Sequence, residues 1–432
     1  MTIQEKDSAY IWHPYTQEKT AGKNIPIVHA KGSTLFTEDG REIIDAVSSW
    51  WVNIHGHSNP VIADAIAKQA KELEHVIFAG FTHRPATDLA EMLLQMLSGH
   101  FSKVFYSDNG STAVEVGVKM ALQYFFNCGE KQRKKIVALE DAYHGDTFGA
   151  MAVSGKSAFT APFNELLFEV IHIPRPDDRN VDETVNRMKD ILKAGDVAAF
   201  IFEPLVQGAA GMQMYKAEHL DRMMEVAHEA GILCIADEVM TGFGRTGKTF
   251  AKEYLNREPD IICLSKGITG GFMPLGVTAC TDKIYDAFYS DDSAKTFFHG
   301  HSYTANPLAC AAAIASIRLL NDDSCRNQIG LISDSHKSFG ERIQSHALMR
   351  EVRQKGTILA IELNTSESSS YFHSVRDRIY EFCLSRNVLL RPLGNIIYLM
   401  PPYCITREEL NRIYSVIQVL LDALGKNETG NG

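Results

Sequence analysis

Two short apolar runs each end in a reactive side chain. ILCIADE closes on Asp237 and Glu238, and DIICLSKG closes on Lys266, between Ser265 and Gly267. Both runs are rich in β-branched residues and bounded by turn formers, so they read as buried parallel strands. A carboxylate and an amine at the ends of neighbouring strands are the pair that pyridoxal phosphate (PLP) chemistry requires. The amine condenses with the cofactor's aldehyde, and the aspartate keeps the pyridine nitrogen protonated so that the ring can accept an electron pair.

Other segments carry groups suited to the rest of such a site. FYSDNGSTAVEV (105–116) reads as strand, glycine turn and helix start. Free amides there, with the Ser111 and Thr112 hydroxyls, make an anion cradle, and Lys266 downstream favours this over an ordinary capped turn. AYHGDTFGAM (142–151) sets Tyr143 and His144 on a turn, where an aromatic ring is placed to stack on a pyridine. FFHGHSYTANPLACAAA (297–313) is a Gly-His-Ser turn leading into a proline-started helix, with donors for a phosphate of this chain or a neighbouring subunit. His299 and His301 have no carboxylate or cysteine at ligand spacing, so no metal site is expected. Arg391 in LLRPLGN suits bidentate recognition of a carboxylate, with a surface ion pair as the alternative. Trp50 and Trp51 either wall an apolar pocket or fill the core.

GFGRTGKT (242–249) matches the spacing of a nucleotide-binding P-loop, with Lys248 and Thr249 in place. A true P-loop opens at a strand end and finds its acidic strand elsewhere. Here the strand before it already ends in Asp237-Glu238, so one segment would have to serve as both, and a P-loop ATPase is not favoured.

These groups need a scaffold to bring them together. KVFYSD (103–108), IVALED (136–141), EVIHIP (169–174), AAFIFEP (198–204), the two loaded runs and VTACT (277–281) read as strands. Helical patterns alternate with them at 111–126 and 218–231, the second stopping at Gly231. This pattern predicts an α/β fold with a mostly parallel sheet covered on both faces. Beyond about residue 310 the pattern changes to a helix, a polar helix near 324–345, the strands TILAIEL, VLLRPL and IIYLMPP, and a last helix from about 406 to 425. We expect a segment 1–54 with hairpin-like runs, a large cofactor-binding domain at 55–315, and a smaller α+β domain at 316–432 with which the first segment packs. SESSS (366–370) reads as a surface loop.

Composition narrows the classes. The 432 residues carry a net charge of −10, and no basic patch is interleaved with aromatics, so no nucleic-acid partner is expected. KQRKK (131–135) reads as a solvated loop. Eight cysteines without a CxxC pair fit a reducing compartment. No secretory pattern opens the chain and no apolar run spans a membrane, so the expectation is a cytoplasmic protein.

Taken together, these residues resemble the class III (subgroup II) aminotransferases of PLP fold type I, from about Ile11 to the last helix. The stretches that carry it are IWHPYT (11–16), SSWWVNIHGH (48–57), YHGDTFGAM (143–151), EPLVQGAAGM (203–212), GFGRTGK (242–248), NPLACAAA (306–313) and IYLMPPY (397–403). The resemblance implies a large domain with a mostly parallel seven-stranded sheet plus a smaller α+β domain. It implies that Lys266 bonds the cofactor, that Asp237 meets the pyridine nitrogen, that Gly110 and Ser111 cradle the phosphate, and that Tyr143 stacks on the ring. Ser302 would reach the phosphate of a partner subunit in a homodimer. Tyr15, Trp50, Gly300 and Tyr398 would line the substrate pocket, Tyr15 also serving catalysis, and Arg391 would take the substrate carboxylate. The family often has Gly-Pro-Thr where this chain has Gly300-His301-Ser302, which puts the geometry of that turn in question.

IWHPYT, SSWW and IYLMPPY narrow the resemblance to the branch that works in biotin synthesis. That branch moves an amine from S-adenosylmethionine, or in some relatives lysine, to 8-amino-7-oxononanoate through pyridoxamine phosphate, in a ping-pong sequence yielding 7,8-diaminononanoate. An ornithine, 4-aminobutyrate or acetylornithine aminotransferase, or a glutamate-semialdehyde aminomutase, is the nearest alternative. A catalytically silent module of the same fold would not need both Lys266 and Asp237.

Overall fold

The computed structural model describes residues 1–365 and 373–429, and the SESSS run at 366–370 lies outside them. A seven-stranded sheet forms the centre. In spatial order its strands are Lys103–Ser107, Gly276–Cys280, Ile261–Leu264, Leu233–Asp237, Val197–Phe202, Lys135–Leu139 and Val170–Ile173. Gly276–Cys280 runs antiparallel to both neighbours, and every other pairing is parallel. The expected mostly parallel sheet is therefore present with one reversed strand.

The two-residue alternation of a strand divides the core between the two faces of this sheet. Phe200, Phe202, Cys234 and Ala236 join one apolar cluster with Leu220, Met223, Met224 and Ala227 of the helix Ala217–Glu229. Ala199, Ile201, Ile235 and Ile261 join another with Ala113, Val114, Ala121 and Phe125 of the helix Gly110–Asn127. Covered on both sides, Val197–Phe202 is buried along its whole length, which is why its sequence reads as an unbroken apolar run. Gly117 lets the second helix lie close. A Cβ there would sit 3.1 Å from Cys263 Sγ, tighter than ordinary contact.

The hairpin-like N-terminal runs form the antiparallel strands Ile27–Lys31, Thr34–Thr37 and Glu42–Asp45. Val388–Leu389 adds to them in parallel, so the two ends of the chain share a four-stranded sheet. Met349–Lys355, Ile358–Leu363 and Ile396–Leu399 make a separate antiparallel sheet. Among the described residues no helix is long and apolar enough to cross a membrane. All eight cysteines are free thiols.

KQRKK follows its helix as a mostly exposed loop, as expected, but two of its cations are tied down. Arg133 bonds the carbonyls of Val197 and Ala230 at 3.2 and 3.3 Å, and Lys135 pairs with Asp196 at 2.9 Å. Two cations thus tie off strand and helix ends, a use that a count of charges does not reveal.

The same alternation separates the adjacent carboxylates Asp237 and Glu238. Glu238 is fully buried and accepts the amides of Ala251 and Lys252, each at 2.7 Å, and the Thr241 hydroxyl at 3.2 Å. Burial pushes its carboxyl up to about 7, against these donors. Glu238→Ala should leave two buried amides unpaired, at roughly 1–3 kcal/mol each. The expected outcome is a clear fall in the thermal midpoint, read by circular dichroism.

Candidate active site

Asp237, Lys266, the Gly110–Ser111 turn and the Tyr143 turn all lie at or just past the carboxyl ends of central strands, where ligands of open α/β sheets bind. The strand Leu233–Asp237 ends on its aspartate, and the neighbouring Ile261–Leu264 stops two residues short of Lys266. Asp237 is only 4% exposed. Its Oδ1 accepts the Val239 amide at 3.0 Å, and its Oδ2 lies 2.7 Å from His144 Nδ1, which donates to it. Lys266 is partly buried and adopts φ +42°, a left-handed backbone that a lysine occupies only under constraint. Burial holds its ammonium below the usual lysine range, while Asp237 and Glu203 pull the other way. Its Nζ stands 4.7 Å from the centre of the Trp51 ring.

The cradle forms where Lys103–Ser107 turns into the helix Gly110–Asn127. Asn109 caps the helix by accepting the Thr112 amide at 3.0 Å, and Thr112 Oγ accepts the amides of Asp108 and Asn109. The amides of Gly110 and Ser111 are left without a bond among the described residues. These are the donors that the first turn of a helix offers to an anion. Gly110 has no room for a side chain, since a Cβ would meet Val239 Cγ1 at 2.6 Å. The Tyr143 turn closes on the same cradle. Ser111 Oγ accepts the Asp146 amide at 3.2 Å, and a Cβ on Gly145 would strike it at 2.1 Å.

The Tyr143 turn is held from inside the fold by Glu203, just beyond the strand Val197–Phe202. Its carboxylate accepts the Tyr143 amide at 3.0 Å and the Gly208 amide at 2.9 Å. Burial pushes the Glu203 carboxyl up to about 7, a shift that His144 opposes and Asp237 reinforces. The His144 amide bonds Ser154 Oγ at 2.9 Å. His144 Nε2 has no partner among the described residues.

A second cluster faces this one. Tyr15 donates to Asp146 at 2.5 Å and lies 3.3 Å from the Tyr143 hydroxyl. Its ring meets Trp50 edge-on at 5.6 Å. The Arg391 guanidinium stacks over Trp50 at 4.4 Å and makes no ion pair among the described residues. The ion-pair alternative for Arg391 therefore does not hold. Tyr398 is 2% exposed and accepts the Trp51 indole N–H at 3.0 Å, so it backs Trp51 from behind.

Not every expected residue joins these clusters. Gly300 and Ser302 are exposed, and neither is bonded to the cradle within this chain. The turn does lie beside it, because His301 Nδ1 is 3.3 Å from Asp108. The P-loop look-alike is spent on structure. Gly244 and Gly247 donate their amides within the loop, and Lys248 bonds the Glu253 carbonyl at 2.6 Å. Arg245, 1% exposed, bonds the carbonyls of Pro401 at 2.8 Å and Trp51 at 3.2 Å.

The sequence assigned no role to Asp146, Glu203 or the His144 side chain, and it left Trp51 open between pocket and core. All three unassigned residues lie in stretches that carry the resemblance, YHGDTFGAM and EPLVQGAAGM, so the signal was at hand.

The residues fit pyridoxal phosphate. Two unpaired helix-start amides suit a phosphate, a fixed carboxylate suits a pyridinium nitrogen, Tyr143 offers a ring face and Lys266 offers an amine. The family model "Aminotransferase class-III" matches residues 15–421. The chain is 50% identical to the adenosylmethionine-8-amino-7-oxononanoate aminotransferase of Synechococcus elongatus, over 96% of this chain and 99% of that one. The crystal structure of the enzyme of that name from Methanocaldococcus jannaschii is similar at TM-score 0.91 and 36% identity, covering 96% of this chain and 98% of that one. A PLP-bound amine transaminase from an uncultivated Pseudomonas species is similar at TM-score 0.88 and 31% identity, covering 95% and 97%. The chain belongs to the class III aminotransferases.

Because Lys266 is the depressed amine, it should be neutral, and so nucleophilic, at a pH where surface lysines are still protonated. In cofactor-free protein, labelling with an amine-specific acylating reagent followed by peptide mass spectrometry should show Lys266 titrating below the exposed lysines. A midpoint at or above theirs would contradict the reading of its environment.

Proposed function

We propose that this class III aminotransferase transfers an amino group to 8-amino-7-oxononanoate, forming 7,8-diaminononanoate for biotin synthesis, with S-adenosylmethionine as donor. The observation that carries the reading is the Arg391 guanidinium, which makes no ion pair among the described residues and stacks on Trp50 beside Tyr15 and Tyr143. An aliphatic oxo acid charged at one end needs one fixed cation remote from the reacting carbon and apolar walls between. Guanidinium grips a carboxylate with two parallel hydrogen bonds, which sets the register of the chain. The relatives named for this reaction match along almost their whole length, which supports the same reading.

Pyridoxal phosphate, when bound, supplies an aldehyde that takes up the amine and a ring that accepts the electron pair left on the substrate carbon. Asp237 would hold the proton on the ring nitrogen, and His144 and the Val239 amide keep that carboxylate in place. Lys266 Nζ would carry the proton to and from the reacting carbon, a role its depressed basicity suits. The Gly110 and Ser111 amides would hold the phosphate. Tyr143, oriented by Tyr15 and Asp146, would offer its face to the ring, and Tyr15 would close the substrate side. Trp51 excludes water from Lys266.

We further place the working enzyme in the cytoplasm as a homodimer, with the exposed Gly300–Ser302 turn completing the partner's phosphate site. Exposed Phe81, Phe298 and Tyr303 support a covered face. Sedimentation of the holoenzyme should give a dimer, and a fully active monomer would overturn this.

Incubating the holoenzyme with 8-amino-7-oxononanoate and either S-adenosylmethionine or lysine tests the function directly. Mass spectrometry should find 7,8-diaminononanoate with the first donor. Asp237→Asn should slow single-turnover transamination by on the order of 10²-fold while the protein stays folded. Arg391→Ala should raise KM for the oxo acid at least tenfold, about 1.4 kcal/mol, with the donor half-reaction less affected unless both substrates share this arginine. An unchanged oxo-acid half-reaction would remove Arg391 from the pocket.

A further inference from the structure

Trp50 and Trp51 sit on a strained backbone. Ser48, Ser49 and Trp51 have φ of +51°, +58° and +69°, three left-handed residues in a run with no glycine. Ser49 pairs its φ with ψ −87°, far from the small left-handed basin open to side-chain-bearing residues. Such conformations cost energy and persist only where the surroundings over-determine them.

The surroundings here converge on Asp45. It ends the strand Glu42–Asp45 and is fully buried. Its Oδ1 accepts the Val47 amide at 3.1 Å. Its Oδ2 accepts the Ser49 amide at 2.6 Å, the Ser49 hydroxyl at 3.1 Å and His57 Nε2 at 2.8 Å. Asn53 bridges back to His57 Nδ1 at 3.1 Å. The far side of the turn is gripped by Ser48 Oγ on the Met400 carbonyl at 2.8 Å and by Arg245 on the Trp51 carbonyl. The result is two adjacent indoles sent in different directions, one over Lys266 and one under Arg391.

We propose that Asp45 is a positioning residue for substrate register. By holding the Ser48–Trp51 turn left-handed, it fixes Trp50 beneath the guanidinium that takes the carboxylate, and so fixes the distance between that carboxylate and Lys266. Asp45 touches neither reacting atoms nor cofactor, and its effect passes through the backbone. The proposal rests on the pocket reading given above.

Glycine separates backbone strain from other structural roles, because it adopts positive φ without steric cost. Asp45→Asn keeps the shape but cannot accept all four bonds. It should raise KM for 8-amino-7-oxononanoate by at least about fivefold with kcat within roughly threefold of wild type. Adding Ser49→Gly should restore KM to within about twofold of Ser49→Gly alone. An unchanged KM in folded Asp45→Asn, or a double variant as impaired as the single one, overturns the proposal. If Asp45→Asn yields no folded protein, Ser49→Val decides. It leaves Asp45 in place but resists positive φ, so the same KM rise supports the proposal and a wild-type KM overturns it.

A substrate-free readout keeps the two readings apart. In holoenzyme carrying Trp12→Phe, Trp50 and Trp51 are the only tryptophans left, and excitation at the red edge of the indole band selects them over tyrosine. Acrylamide quenching should rise at least about twofold in Asp45→Asn or Ser49→Val, and return in Asp45→Asn with Ser49→Gly. Unchanged quenching overturns the positioning role. Absence of turnover with the oxononanoate in the parent enzyme overturns the assigned reaction, and the quenching series then decides the positioning role alone.

Discussion

The site depends on one buried carboxylate and on the two donors that fix it. Asp237 ends a strand buried along its whole length, where a polar group must find hydrogen-bond partners. A histidine N–H and a backbone amide supply them. The histidine must in turn be fixed, and the residues that fix it also build the rest of the site. Ser154 and Glu203 bind the backbone of the Tyr143–His144 turn. That turn then closes on Ser111 through Gly145 and Asp146. One loop therefore fixes the Asp237 carboxylate, the Tyr143 ring and the helix-start cradle at Ser111 together. Burial, reinforced by Asp237 nearby, raises the proton affinity of Glu203, while the two amides it accepts work against that.

How much of this the sequence revealed follows from the range of each interaction. The central strands were legible because burial on both faces writes an unbroken apolar run, as in Val197–Phe202. The pairing of Asp237 with Lys266 was legible because each stands at the end of such a run. The partner of Asp237 was not, since His144 lies 93 residues away and only the fold brings them together. Nor was the split between the tryptophans, where Trp50 was chosen for the pocket and Trp51 proved to face Lys266. That difference is made by backbone dihedrals of the wrong sign for ordinary residues, and nothing in SSWW announces them.

The GFGRTGKT segment shows how one spacing can serve two physical ends. In a P-loop, backbone amides point at phosphate and the lysine follows them. Here the amides turn inward on the loop, and the largest fully buried side chain among the described residues is Arg245, a residue the P-loop pattern does not specify. Burial lowers the proton affinity of its guanidinium, and it is accommodated by carbonyls from Trp51 and Pro401 together with the Tyr403 ring. Those carbonyls come from the N-terminal turn and the C-terminal IYLMPPY stretch. The loop therefore fastens both ends of the chain to the central sheet beside the site.

This fastening explains why the substrate-side residues are scattered through the sequence while the cofactor-side ones follow strand ends. Tyr15, Trp50 and Arg391 come from the two ends of the chain, which share a sheet through Glu42–Asp45 and Val388–Leu389. Asp45, at the end of one of those strands, is buried and directs the turn that carries Trp50. The cofactor groups are fixed by the central sheet, whose register leaves little freedom. The substrate groups are fixed by a small sheet, a strained turn and one buried arginine. A change of substrate among proteins of this fold can therefore be made in the second set while the first stays intact.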